Sequence, residues 1–161
     1  MSFKKIVSLL ALAFSLVLTG FFRDTVFKSI NALLKAWDYD MDYYLPSFLE
    51  FTENYEYGTL QNLKWFLTIL FSLIYLAIAL LTIRLLFSNR SYLRITIGVY
   101  IGITIVSGLF MIIGYLFPAT AGKMYEFARY FMGMAQSPVI LMVLIPAFKL
   151  SEKKIHNSGS N

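Results

Sequence analysis

Arg129, Gly133, Gln136, Ser137 and Ile140 follow one another at three- and four-residue spacing inside the apolar stretch FARYFMGMAQSPVILMVLIPAF. On a helix they share one face. A guanidinium, an amide and a hydroxyl on that face raise the question of catalysis inside a bilayer. Such chemistry needs paired carboxylates, or a nucleophile with a base beside it. The long uncharged runs hold no Asp or Glu, the sole histidine is His156 near the end, and Ser137 has no evident base. No catalytic residue is assigned.

Packing explains most of this face instead. Gly133 and Ser137 form a small-xxx-small pair that lets another backbone approach closely. Pro138 strips the carbonyl of Met134 of its helical donor, a loss that nearby polar groups can relieve. Gln136 is costly against lipid and is expected to turn inward. Gly98 and Gly102 form a second pair. Antiparallel neighbours would put Gly114 at the depth of Gly133, leaving Gly98 and Gly102 for Ala77 and Ala79 or for a partner.

Arg129 belongs to another pattern. Arg23, Lys64, Lys123 and Arg129 mark one set of ends of four apolar runs. They read either as snorkelling anchors or as a basic collar for a lipid phosphate or an acidic partner surface. Glu126 stands three residues before Arg129, where a local ion pair is also open. A metal site is not expected. Asp38, Asp40 and Asp42 alternate like the start of a calcium loop, yet Tyr43 and Leu49 occupy the positions that need Gly and Glu. A solvated acidic turn explains them better. No cofactor is implied.

The elements that position these residues follow from composition. Of 161 residues, 58% are apolar and 14% charged, against about 25% charged in soluble domains. Residues 6–22, 65–83, 95–122 and 130–148 contain no Asp, Glu, Lys or Arg. Crossing the hydrocarbon core takes roughly 20 such residues. The sequence therefore predicts an all-α polytopic membrane protein forming one integral domain. Its four spans are placed at about 6–22, 65–83, 95–117 and 130–148. Residues 6–22 read as a retained span, because SLVLTGFFRD lacks a small-x-small cleavage site.

The outer segment, 23–64, begins with DTVFKSINALLKAW. Val26, Phe27, Ile30, Leu33, Leu34 and Trp37 lie on one helical face there, which predicts an amphipathic interfacial helix capped by Asp24. Between Trp37 and Trp65, nine aromatic residues suit a membrane-hugging region. The tail, 151–161, reads as disordered.

With both termini cytoplasmic, Lys4, Lys5, Arg84, Arg90, Arg94, Lys149, Lys153 and Lys154 lie inside; Arg23, Lys28, Lys35, Lys64, Lys123 and Arg129 lie outside. The basic turn RLLFSNRSYLR weighs most in that assignment. The net charge of +5 then belongs to topology and headgroups, not to nucleic acid. Without cysteine, disulfides and thiolate chemistry are excluded.

Four stretches carry a resemblance: FFRDTVFKSINALL, LPSFLEF, NLKWFLTILFSLIYLAIALLTIRLLF and YEFARYFMGMAQSPVILMVLIPAF. Together they resemble the small exosortase F-associated membrane proteins of Gram-negative bacteria, over most of residues 21–148. The resemblance implies an inner-membrane accessory to exosortase, a multispan cysteine transpeptidase-like enzyme that processes proteins bearing a C-terminal sorting helix. Implied partners are exosortase or that helix, beside membrane lipids. It carries over no catalytic residue. A lipid-handling or small-solute protein using the basic collar is the alternative, and a pore formed by a homo-oligomer stays open.

Overall fold

The structure, a computed structural model, describes residues 3–39, 43 and 45–158. Five α-helices follow one another: α1 (Phe3–Tyr39), α2 (Tyr57–Leu86), α3 (Arg90–Leu116), α4 (Ala121–Ala135) and α5 (Val139–Ser158). Two 3-10 turns, Ser47–Thr52 and Pro118–Thr120, complete the order, and no strand occurs among the described residues. Three helices, α1 to α3, are long and apolar enough to cross a membrane; α4 and α5, bent by 57° at their junction, make a fourth if the pair is one span. The protein is all-α and polytopic.

The short connections dictate antiparallel neighbours. Only residues 87–89 separate α2 from α3, and the Asn89 side chain caps α3 by accepting from the Ser91 N–H at 2.9 Å. Pro118 stops α3 just beyond Leu116, and the chain folds back at once into α4. Gly114 makes that fold-back possible. A Cβ there would stand 3.1 Å from the Met124 Cβ and 3.5 Å from the Ala121 backbone. Phe110 then stacks on Phe127 and Phe131 at 5.4 and 5.6 Å between ring centroids.

At the end of the bundle holding the α2–α3 turn, α5 closes the core. Tyr92 stacks on Phe148 at 4.3 Å, and Phe87 meets both rings edge-on. Ala79, Ile83, Leu141 and Leu144 extend this cluster upward to Tyr75 and Ala135.

Several expectations are corrected. The amphipathic stretch after Arg23 is no separate interfacial helix, because α1 runs through it without a break. Its apolar face is buried in the protein: Val26, Ile30 and Leu33 are 3%, 0% and 1% exposed. Asp24 is therefore mid-helix and caps nothing. Helical structure also continues to Ser158, into the tail expected to be disordered. Residues 130–148 are divided by the break at Gln136–Pro138, so Ser137 and Ile140 do not extend the helical face of Arg129 and Gly133. The acidic turn falls at Asp40, Asp42 and the side chain of Asp38, outside the described residues.

Candidate functional site

The break between α4 and α5 is where the polar chemistry gathers. Pro138 has no N–H to offer the Met134 carbonyl, and that oxygen is instead met by the Ser137 N–H at 3.2 Å and the Ser137 hydroxyl at 2.9 Å. In a lipid environment a lone carbonyl costs several kcal/mol, on the order of what these two bonds relieve. Gln136 turns inward, 2% exposed, as expected from its cost against lipid. Its Nε2 donates to the Thr68 carbonyl at 2.7 Å and to the Ser72 hydroxyl at 3.0 Å, tying the break to α2. The Gln136 carbonyl, in turn, accepts from Arg23 Nη1 at 3.1 Å, which ties it to α1.

Arg23 is consequently a structural residue as well as a cation. Its guanidinium lies 5.9 Å from the Phe27 ring centre and 3.6 Å from the Asp24 carboxylate. Its Nε is buried with no hydrogen-bond partner. Two polar elements of one helix and one of another have thus converged on a chain break, while one donor is left over.

Above this junction lies a cavity of about 420 Å³, walled by α1 to α4. From α1 come Arg23, Asp24, Phe27 and Lys28; from α2 come Tyr57, Lys64, Trp65 and Thr68. Ser107 and Met111 of α3 form the back, and Tyr125, Arg129, Met132 and Gly133 of α4, with Gln136 at the break after it, close the remaining side. Ser107 also fixes α3 to α4 by donating to the Ala128 carbonyl at 2.9 Å. The cavity exists because α1 packs along α2 and α4 along α3, while α1 and α4 themselves scarcely meet.

Four cations, Arg23, Lys28, Lys64 and Arg129, share this lining with one carboxylate, Asp24. Among the described residues the Arg23–Asp24 pair is the one ion pair within 4.0 Å, and Glu126 does not pair with Arg129. An excess of positive charge beside apolar walls can bind an anion by charge-assisted hydrogen bonds. Acid–base catalysis is not what this assembly resembles.

Three of the four collar cations, Arg23, Lys64 and Arg129, therefore meet in one place. Lys123 does not: it is exposed on α4 outside the cavity. The packing expectations fare differently again. Gly114 does pack closely, but against Ala121 and Met124, not at the depth of Gly133. A Cβ at Gly98, Gly102 or Gly133 would meet nothing within 4 Å. Gly133 lines the cavity and also a more open groove on the adjoining flank of α4, shared with Glu126, Arg129, Tyr130, Met134, Ser137 and Val139.

The sequence reading missed Lys28, Thr68 and Ser72. A signal existed for two of them: Tyr57, Gln61, Lys64, Thr68 and Ser72 recur at three- and four-residue intervals, a polar stripe running into an apolar span. Comparison with family models, curated proteins and solved structures finds no match.

Proposed function

We propose that this chain is a nonenzymatic inner-membrane accessory protein of an exosortase sorting system, and that its basic cavity captures an anionic group presented at the outer face. One observation supports this above others. Three of the four stretches that resemble the exosortase F-associated proteins contribute to the cavity wall: Arg23 and Lys28, Lys64 and Trp65, and Tyr125, Arg129 and Gln136 lie within them, while Ser107 and Met111 come from outside. The family likeness and the cavity thus coincide in three separate segments.

Both termini are assigned to the cytoplasm, since the α2–α3 turn carries Arg84, Arg90 and Arg94 and short basic loops stay inside. The cavity, at the opposite end of α2, then opens in the outer leaflet. Reporter fusions after Glu53 and at the C-terminus are expected on opposite sides; the same side for both contradicts four spans.

Size limits what enters. A helix about 10–12 Å across fills roughly 420–610 Å³ per turn, so a cavity of about 420 Å³ admits no more than a single turn. A sorting helix would engage it through an acidic group at its outer end. The lipid-handling reading is favoured by the same limit, because a headgroup fits whole. Crosslinking from position 65, followed by pull-down from native membranes in mild detergent, tests the proposal. Exosortase or its substrate is expected among the products, and less of it with Lys64→Gln/Arg129→Gln. Equal yields from both chains would remove the cavity from the capture step.

A further inference from the structure

We infer that the cavity is the headgroup site for an anionic phospholipid, one with net negative charge on its phosphate-bearing head, whose acyl chain leaves past Gly133 into the adjoining groove on α4. The inference rests on the reading of the cavity as a capture site and names its ligand.

Charge gives the first half. Asp24 already faces Arg23, and Lys28, Lys64 and Arg129 have no carboxylate within 4.0 Å among the described residues. Cations gathered at a membrane without a counter-charge are costly unless an anion joins them. The guanidinium of Arg23 is held by the Gln136 carbonyl on one side, while its Nε has no partner. A phosphate beside it supplies the acceptor that the chain does not, and guanidinium and phosphate suit each other in shape and charge. Trp65, Tyr57 and Tyr125 ring the same cavity, as aromatic residues do at headgroup level.

Shape gives the second half. Phe27, Leu34, Met111 and Met132 line the cavity between its charges, which a free inorganic ion would leave unfilled. Arg129 and Gly133 belong to both the cavity and the groove. At Gly133 nothing stands within 4 Å of where a side chain would begin. The backbone of α4 is bare there, between a basic chamber and a groove where Met134 and Val139 stand beside Tyr130, Ser137 and, at one end, Glu126. An amphiphile has this division: a charged head, then an apolar tail that ends in the bilayer.

The test uses the full chain in bilayer nanodiscs of phosphatidylcholine with or without phosphatidylglycerol, with native mass spectrometry counting the lipid retained. Phosphatidylglycerol is expected to be retained preferentially, one per chain. Lys64→Gln/Arg129→Gln is expected to lower its retention by about tenfold or more. Lys123→Gln, outside the cavity, is expected to leave it unchanged. Gly133→Leu is expected to abolish retention while helical content and unfolding midpoint persist. Three results overturn the inference: no preference for the anionic lipid, equal loss from Lys123→Gln and from Lys64→Gln/Arg129→Gln, or full displacement of the lipid by millimolar inorganic phosphate. If the first occurs while the crosslinks to exosortase or its substrate still depend on Lys64 and Arg129, the capture function stands and only its ligand is wrong. If the crosslinks fail as well, both fall.

Discussion

The two ends of this bundle solve opposite problems. Where α2 turns into α3, three buried rings lock together, Phe87 from the turn, Tyr92 from α3 and Phe148 from α5. At the other end, α1 and α4 stand apart and the gap is lined with cations, hydroxyls and a broken helix. Association between helices in lipid comes from close packing and from hydrogen bonds, since lipid tails remove most of the hydrophobic drive. The first end uses packing. The second uses hydrogen bonds around Gln136 and keeps a chamber open. Ring packing and the polar chamber thereby occupy opposite ends of the bundle.

Substitutions can break or sharpen that contrast. Phe148→Ala should have the largest effect on folding, about 3 kcal/mol, at the low end for a buried ring because lipid removes part of the transfer term. Unfolding in mixed micelles measures it, and lipid retention by the folded fraction should not change. Gln136→Leu should cost about 1–2 kcal/mol, because two side-chain hydrogen bonds are lost while the backbone bond to Arg23 survives. If it costs as much as Phe148→Ala, the two ends are not separate in kind. Gly133→Leu should move the unfolding free energy by less than about 1 kcal/mol and in the stabilising direction, from helix propensity. Its effect belongs to ligand retention. Ser137→Ala should be the smallest, under about 1 kcal/mol, since the Met134 carbonyl keeps the Ser137 N–H.

Much of the fold was legible because apolar runs and basic ends are one-dimensional signals. The uncharged runs located the helices, although the break at Gln136–Pro138 divides the fourth run. Gln136 turned inward for the reason its cost against lipid suggested. The glycines were not legible in the same way. Gly98, Gly102, Gly114 and Gly133 look alike in the sequence, yet only Gly114 touches a neighbouring helix closely. Which small residue packs depends on helix rotation and depth, and spacing along one chain fixes neither. The collar failed by one member for a related reason. Lys123 and Arg129 are six residues apart on α4, more than a turn and a half, and so point in different directions. The interfacial helix misled because an amphipathic face is equally suited to a bilayer surface and to another helix. Val26, Ile30 and Leu33 took the second option.

One feature of α1 reaches further than its role as a wall. At 37 residues it is about 55 Å long, far longer than the roughly 30 Å of hydrocarbon in a bilayer. It crosses α2 at Gly20, where a Cβ would come within 3.2 Å of the Tyr75 hydroxyl. Below that point no residue of its apolar window is buried, although Leu16 still packs against the core, and above it the helix borders the cavity. The lower arm has few protein contacts and the upper arm borders the cavity, so a tilt of one would reach the other through the close approach at Gly20. Thickening or thinning the membrane changes the tilt of the lower arm through hydrophobic mismatch, and the upper arm answers at the mouth of the chamber. Lipid retention measured in nanodiscs of short and long acyl chains should therefore differ by a few fold, with the same headgroup throughout; identical retention would make α1 a fixed post.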